Sequence, residues 1–213
     1  SWGRHLFATG GLHNEENFNG NYWMVSETWP GVLIGNQASK SGQMLVFDDE
    51  RTYCTKYYTT RNVYSPTFFP ETTGYLLFVD DNENEPYFNT GKGPKPVQWL
   101  EPVSPNAKRG TYDNVTKRGG RGVGMVRFAH PIWRQWIPIR VHGMVKTKDL
   151  LFVAGAPDVL DPEDPLASFE GRKGGLLRSV SPKDGATLFE MNLYSPPVFD
   201  GMSAARECLF ISL

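Results

Sequence analysis

Between residues 139 and 193 the chain runs through one beat four times: a short apolar-rich run, then a break of polar, glycine or proline residues. The runs fall at 139–145, 150–155, 175–181 and 186–193. Their breaks are 146–149, an acidic, proline-bearing insertion at 157–173, and the turn at 182–185. Runs of this length bounded by turn residues form strands, because a helix needs about ten to twelve residues of unbroken 3.6-residue periodicity before it stands. Residues 196–202 and 207–212 then begin the same beat again.

Earlier segments follow the same rule more loosely. Short aromatic and aliphatic runs at 6–9 and 21–27 sit between glycine-, asparagine- and proline-rich turns. The segment 42–58 places two β-rich runs around Asp48, Asp49 and Glu50, which is a hairpin pattern. A further strand at 74–79 enters the acidic stretch 80–86. From 89 to 124 the chain turns to Gly, Pro, Lys and Arg with little apolar periodicity, and reads as a loop insertion. Gly 22 and Pro 16, with 13 Phe, 9 Tyr and 6 Trp, suit strands and turns better than long helices. Four antiparallel strands in about 55 residues make one blade of a β-propeller. The sequence therefore predicts an all-β fold, a partial β-propeller of about three to four antiparallel four-stranded blades with an irregular loop insertion. Its parts would be N-terminal blades at 1–88, the insertion at 89–124, and C-terminal blades at 125–213, the last one incomplete.

Charge and hydropathy exclude some partners. Lys and Arg number 22 against 23 Asp and Glu, a formal net charge of −1, so no general affinity for nucleic acid is expected. No apolar run approaches the roughly 20 residues of a membrane-spanning helix. Cys54 and Cys208 lie outside any zinc or disulfide spacing and are expected to be buried free thiols, although pairing across the fold stays open. With no initiator Met and no signal-type start, the chain is expected to be part of a longer polypeptide.

The strand–turn–strand unit Ser179-Val180-Ser181-Pro182-Lys183-Asp184-Gly185-Ala186-Thr187-Leu188-Phe189 resembles the quinoprotein-type, or PQQ-like, β-propeller repeat. The stretches 151–159, 169–177 and 195–202 resemble one subgroup, large envelope-associated propeller proteins of environmental bacteria, near their C-terminal end. Where the family carries Asp, Thr and an inter-blade Trp, this chain has Ser181, Asp184 and Phe189. The resemblance implies a non-enzymatic binding or scaffolding module of a cell-envelope protein, in the periplasm or at the cell surface. Its partners would be a protein or polysaccharide ligand and the remaining blades of the same polypeptide. A PQQ-dependent oxidoreductase is the first alternative and a polysaccharide-processing enzyme the second. No cofactor is expected. Ca²⁺ and PQQ are the ones the family would allow, but the vicinal Cys pair and Ca²⁺ ligands of the dehydrogenases have no counterpart here.

Several residues carry candidate chemistry. Asp80, Asn82 and Asn84 begin a D-x-N-x-N calcium loop, yet Glu85 stands where Gly is required and Gly91 where Glu is required. A solvated acidic turn is the preferred reading, and these three remain the metal candidates. Asp158, Asp161, Glu163 and Asp164 invite the same question, but Pro157, Pro162 and Pro165 favour a rigid surface excursion. His13 stands near Glu15 and Glu16, an acid–base grouping that an exposed polar loop explains equally well. Lys117, Arg118, Arg121 and Arg127 would clasp an anion or simply be solvated. Trp133, Arg134 and Trp136 put two indoles around polar groups, a pattern suited to stacking on a sugar ring, against core filling and blade docking as the commoner fate. Trp133, Arg134, Trp136 and His13 are thus the ligand-binding candidates.

Overall fold

A computed structural model of the chain describes residues 3–8, 23–27, 39–56, 75–89, 94–96, 125–127, 130–159 and 161–213. Its strands, in chain order, are β1 (His5–Ala8), β2 (Trp23–Ser26), β3 (Ser41–Gly42), β4 (Met44–Phe47), β5 (Arg51–Lys56), β6 (Tyr75–Asp81), β7 (Pro86–Asn89) and β8 (Pro94–Pro96). They continue as β9 (Met125–Arg127), β10 (Trp133–Ile137), β11 (Ile139–Lys146), β12 (Leu151–Pro157), β13 (Gly175–Val180), β14 (Thr187–Leu193), β15 (Met202–Ala205) and β16 (Cys208–Ile211). No helix occurs among the described residues. The strands form five open antiparallel sheets, ordered β1-β2-β3, β10-β6-β5-β4, β11-β12-β13-β14, β15-β16 and β8-β7-β9.

The four-beat stretch folds as its periodicity dictates. Each of β11 to β14 pairs with the next, and residues 146–150 and 181–186 close the tight connections. A bulge between Val141 and Gly143 kinks β11, and there the Arg140 carbonyl comes against Gly155 so closely that a Cβ on Gly155 would overlap it. The hairpin around 48–50 also forms, as β4 and β5. That sheet continues through β6 and takes its fourth strand, β10, from beyond the insertion, pairing Trp133 with Val79 and Ile137 with Tyr75.

The two four-stranded sheets share one core. Alternation sends Tyr75, Leu77 and Val79 of β6 to the same face, where they meet Ile139, Val141 and Met144 of β11 and Leu151 and Val153 of β12. The opposite face of the first sheet is buried too, with Cys54 and Phe78 at 0% exposure, and β2 and β3 lie against β4 and β5. This explains why 75–79 is apolar at nearly every position: both faces of that strand are covered.

Three expectations need correction. Cys54 is buried, but Cys208 is exposed, because β16 is the outer strand of a two-stranded sheet with nothing on its far side among the described residues. The repeated beat at the C-terminus is a hairpin of β15 and β16 only, and 196–201 precede it as irregular chain. Asp80, Asn82 and Asn84 do not form a solvated turn; all three are buried, for reasons given below. The excursion 157–173, by contrast, is held at the surface by ion pairs of Arg172 with Asp164 and Glu170 and of Lys173 with Asp161.

The C-terminal hairpin is tied to the second four-stranded sheet at its bulge. His142 Nδ1 donates to the Pro197 carbonyl at 3.0 Å, and the His142 carbonyl accepts from the Asp200 amide at 2.8 Å. Burial, reinforced by the Arg140 charge, lowers the His142 pKa from its ordinary 6.5, against the opposing pull of the Pro197 hydrogen bond. The unfolded chain therefore binds the proton more readily than the folded one. Its contribution is fully present above about pH 6.5 and is lost as pH falls through the depressed value. We expect the melting temperature to drop between about pH 7 and pH 5, and the drop to shrink in His142→Gln. An identical pH profile in the variant would rule the histidine out.

Candidate binding cleft

The connections at 48–51, 146–149 and 181–183 come together at one end of the two four-stranded sheets. Each is built from its own turn chemistry. Asp48 Oδ1 accepts from the amides of Glu50 at 3.0 Å and Arg51 at 2.8 Å. Thr147 Oγ1 accepts from the Leu150 amide at 3.2 Å. Gly185 carries a φ of +80°, which closes the third turn, and Asp184 Oδ1 accepts from the Ala186 amide at 3.1 Å. The Ser181 hydroxyl, the Ala186 amide and nearby Lys183 keep the Asp184 carboxyl below its ordinary range.

Between these turns lies an open cleft of about 440 Å³. Tyr53 and Lys146 form its floor, with the Lys146 ammonium 5.6 Å from the centre of the Tyr53 ring and 3.6 Å from Asp48 Oδ2. Burial, together with the Asp48 charge, raises the Tyr53 hydroxyl pKa. Lys146 also donates to the Thr147 and Lys148 carbonyls, so its charge is already engaged. On the rim stand Glu50, Arg51, Lys148, Asp149 and Lys183. Arg51 Nη1 donates to the Pro182 carbonyl at 3.3 Å, and the same oxygen accepts from Trp133 Nε1 at 2.9 Å. One carbonyl thereby locks the third turn onto the neighbouring sheet.

The sequence candidates scatter relative to this cleft. Trp133 is part of its support: the indole is half-buried and lies over Gly185, where a Cβ would come within 2.8 Å of Cε3. Arg134 and Trp136 point from the opposite face of β10 and are exposed, so the two indoles do not bracket a shared site. Phe189 is also exposed. His13, Lys117, Arg118 and Arg121 lie outside the described residues, and only the backbone of Arg127 is described.

Asp80, Asn82 and Asn84 belong to a separate buried network around Lys40. Asp80 accepts from the Lys40 amide at 2.7 Å and from Asn84 Nδ2 at 3.3 Å, while Asn82 Oδ1 accepts from the Thr52 hydroxyl at 2.6 Å. The Lys40 ammonium, with no solvent exposure, donates to the Asn82 carbonyl at 2.7 Å and to Glu85 Oε1. Glu85 Oε2 in turn accepts from the Ser26 hydroxyl at 2.8 Å. The loop thus encloses a cation supplied by the chain itself. No group of three or more His, Cys, Asp or Glu suited to a metal occurs among the described residues.

Reading missed Arg51, Lys146, Lys148, Lys183 and Lys40. The three turns were legible, and their charged residues were the available signal, but nothing local says that the turns converge.

Fold and site together define an all-β protein with a charged cleft between three turns at one end of two four-stranded sheets. No family model, curated protein or solved structure matches the chain. No helix among the described residues is long and apolar enough to cross a membrane.

Proposed function

We propose that the chain is a non-enzymatic binding module of propeller type, part of a larger cell-envelope protein, and that its ligand is an acidic segment of a protein partner seated in the charged cleft. The observation that carries the ligand is the rim: Lys148 and Lys183 have no side-chain hydrogen bond or ion pair among the described residues, and Arg51 spends one donor on Pro182. Against them stand Glu50 and Asp149, while Asp48 is occupied by its own turn and by Lys146. Tyr53, the one aromatic among the described lining residues, already has Lys146 over its ring, which leaves little free face for a sugar to stack on. The propeller reading is supported by two successive four-stranded up-and-down sheets whose first strands, β4 and β11, are neighbours, by β15 lying next to β11, and by Trp133 seated on the turn of the following sheet.

A thermal-melt panel on the whole chain tests the assignment, with poly-L-glutamate, poly-L-lysine and dextran as probes. Ligand at about 100 times its Kd stabilises a fold by roughly 2.7 kcal/mol, an easily read shift. A shift with poly-L-glutamate that disappears in Lys148→Glu/Lys183→Glu is expected. A shift with dextran alone would move the assignment to a polysaccharide, and no shift with any probe would remove the cleft as the ligand seat.

A further inference from the structure

Arg51 stands in the cleft without a counter-ion. Arg4, Arg172 and Arg178 each pair with a carboxylate. Arg51 pairs with none among the described residues, and the carboxylates placed to meet it are turned elsewhere. Asp48 directs Oδ1 to the amides of its own turn and Oδ2 to Lys146. Asp81, opposite Arg51 on β6, directs Oδ1 to the Glu83 amide. The half-buried guanidinium donates instead to a neutral oxygen, the Pro182 carbonyl. Burial and the Asp48 charge raise the Tyr53 hydroxyl pKa, and the Arg51 charge beside that hydroxyl opposes them.

The Pro182 carbonyl has two donors. Trp133 Nε1 lies at 2.9 Å and Arg51 Nη1 at 3.3 Å. The shorter bond comes from an indole packed on Gly185 and the core, the longer one from a side chain lining the open cleft. When Arg51 leaves, the carbonyl keeps its better donor, so no buried group is orphaned and the turn keeps its anchor. Without the indole, the same departure strands the carbonyl. Lys148 and Lys183 differ from Arg51 in kind. An ammonium attracts an anion as a point charge, whereas the guanidinium fork matches both oxygens of a carboxylate.

Resting on the reading of the cleft as the seat of an acidic protein segment, we infer that Arg51 grips one carboxylate side chain of that segment, turning off the Pro182 carbonyl to take it bidentately. Trp133 is the positioning residue that frees Arg51 to do so, by holding the carbonyl and the turn that carries Lys183. Lys148 and Lys183 supply attraction without directional contact.

The test titrates the whole chain with poly-L-glutamate. Arg51→Lys keeps the charge and loses the fork, and is expected to weaken binding about tenfold. Raising salt from about 0.01 M to 0.1 M cuts the Debye length from about 30 Å to 10 Å, so the Arg51→Lys loss should persist while a smaller loss in Lys148→Gln fades. Trp133→Phe should weaken binding about fivefold or more, because Arg51 can then leave only by orphaning the carbonyl, and should add little in an Arg51→Lys background. The Trp133 indole N–H resonance, assigned by its absence in Trp133→Phe, should move on binding in the wild type and stay still in Arg51→Lys. Equal binding by Arg51→Lys, with binding still abolished by Lys148→Glu/Lys183→Glu, would overturn the inference and leave the cleft as the ligand seat. An indole resonance unmoved at saturation would overturn the release of Pro182. A wild type that does not bind the probe removes the cleft reading, and this inference with it.

Discussion

Trp133→Ala is expected to lower unfolding free energy by about 3 kcal/mol, toward the lower end of large-to-small aromatic substitutions because the indole is half-buried. Three losses coincide. The ring leaves the core between the two four-stranded sheets, vacates the surface of Gly185, and removes the N–H that donates to the Pro182 carbonyl. Trp133→Phe separates them, since it keeps much of the apolar contact and loses only the donor, for about 1 kcal/mol. Urea unfolding at neutral pH reads both values. If Trp133→Ala unfolds within error of wild type, the third turn is held by Arg51 alone and the cleft does not depend on the indole. The same variant should also weaken any ligand of the cleft, because Lys183 rides on the turn that Trp133 anchors.

The second large effect concerns Lys40. Lys40→Met preserves much of the side chain's length but removes the buried ammonium, leaving the Glu85 carboxylate and the Asn82 carbonyl without their donor. Breaking one partner of a buried pair costs several kcal/mol, and since Glu85 is partly exposed and retains Ser26, we expect about 3 kcal/mol. Glu85→Gln keeps an acceptor for Lys40 and should cost about 1–2 kcal/mol, the range of a hydrogen bond to a charged group. Equal losses in the two variants would mean that the charge is immaterial and the network is ordinary hydrogen bonding. Because Lys40 donates from both its amide and its ammonium to the 80–85 loop, Lys40→Met should also speed amide exchange in that loop well before global unfolding.

The Asp80–Asn84 segment shows how a motif changes meaning in context. The side-chain oxygens of Asp80 and Asn82 are spent on the Lys40 amide, Asn84 and the Thr52 hydroxyl, while the positive charge within the loop is held by the Asn82 backbone carbonyl and the Glu85 carboxylate. The cation is a lysine from forty-two positions before Asn82, and burial of the loop follows from that pairing. Nothing near Lys40 in sequence announces it; Ser39, Lys40 and Ser41 read as an ordinary polar connection. Trp133 shows the complementary case. Its aromatic character was a sound signal of importance, but strand alternation separates it from Trp136 and assigns it to docking, one of the fates weighed for it from sequence.

What the sequence alone determined is the local part. Short apolar-rich runs between turn residues established strands, an all-β chain, the four-stranded succession from 139 to 193, and the hairpin within 42–58, because these depend on neighbours within a few positions. Only the tertiary structure decided that β10 completes the β4–β6 sheet across the insertion, that Lys40 fills the 80–85 loop, and that three separate turns converge on one cleft. Those pairings are chosen by which arrangement buries the most apolar surface while satisfying its buried polar groups, a balance struck over the whole chain and written in no single segment of it.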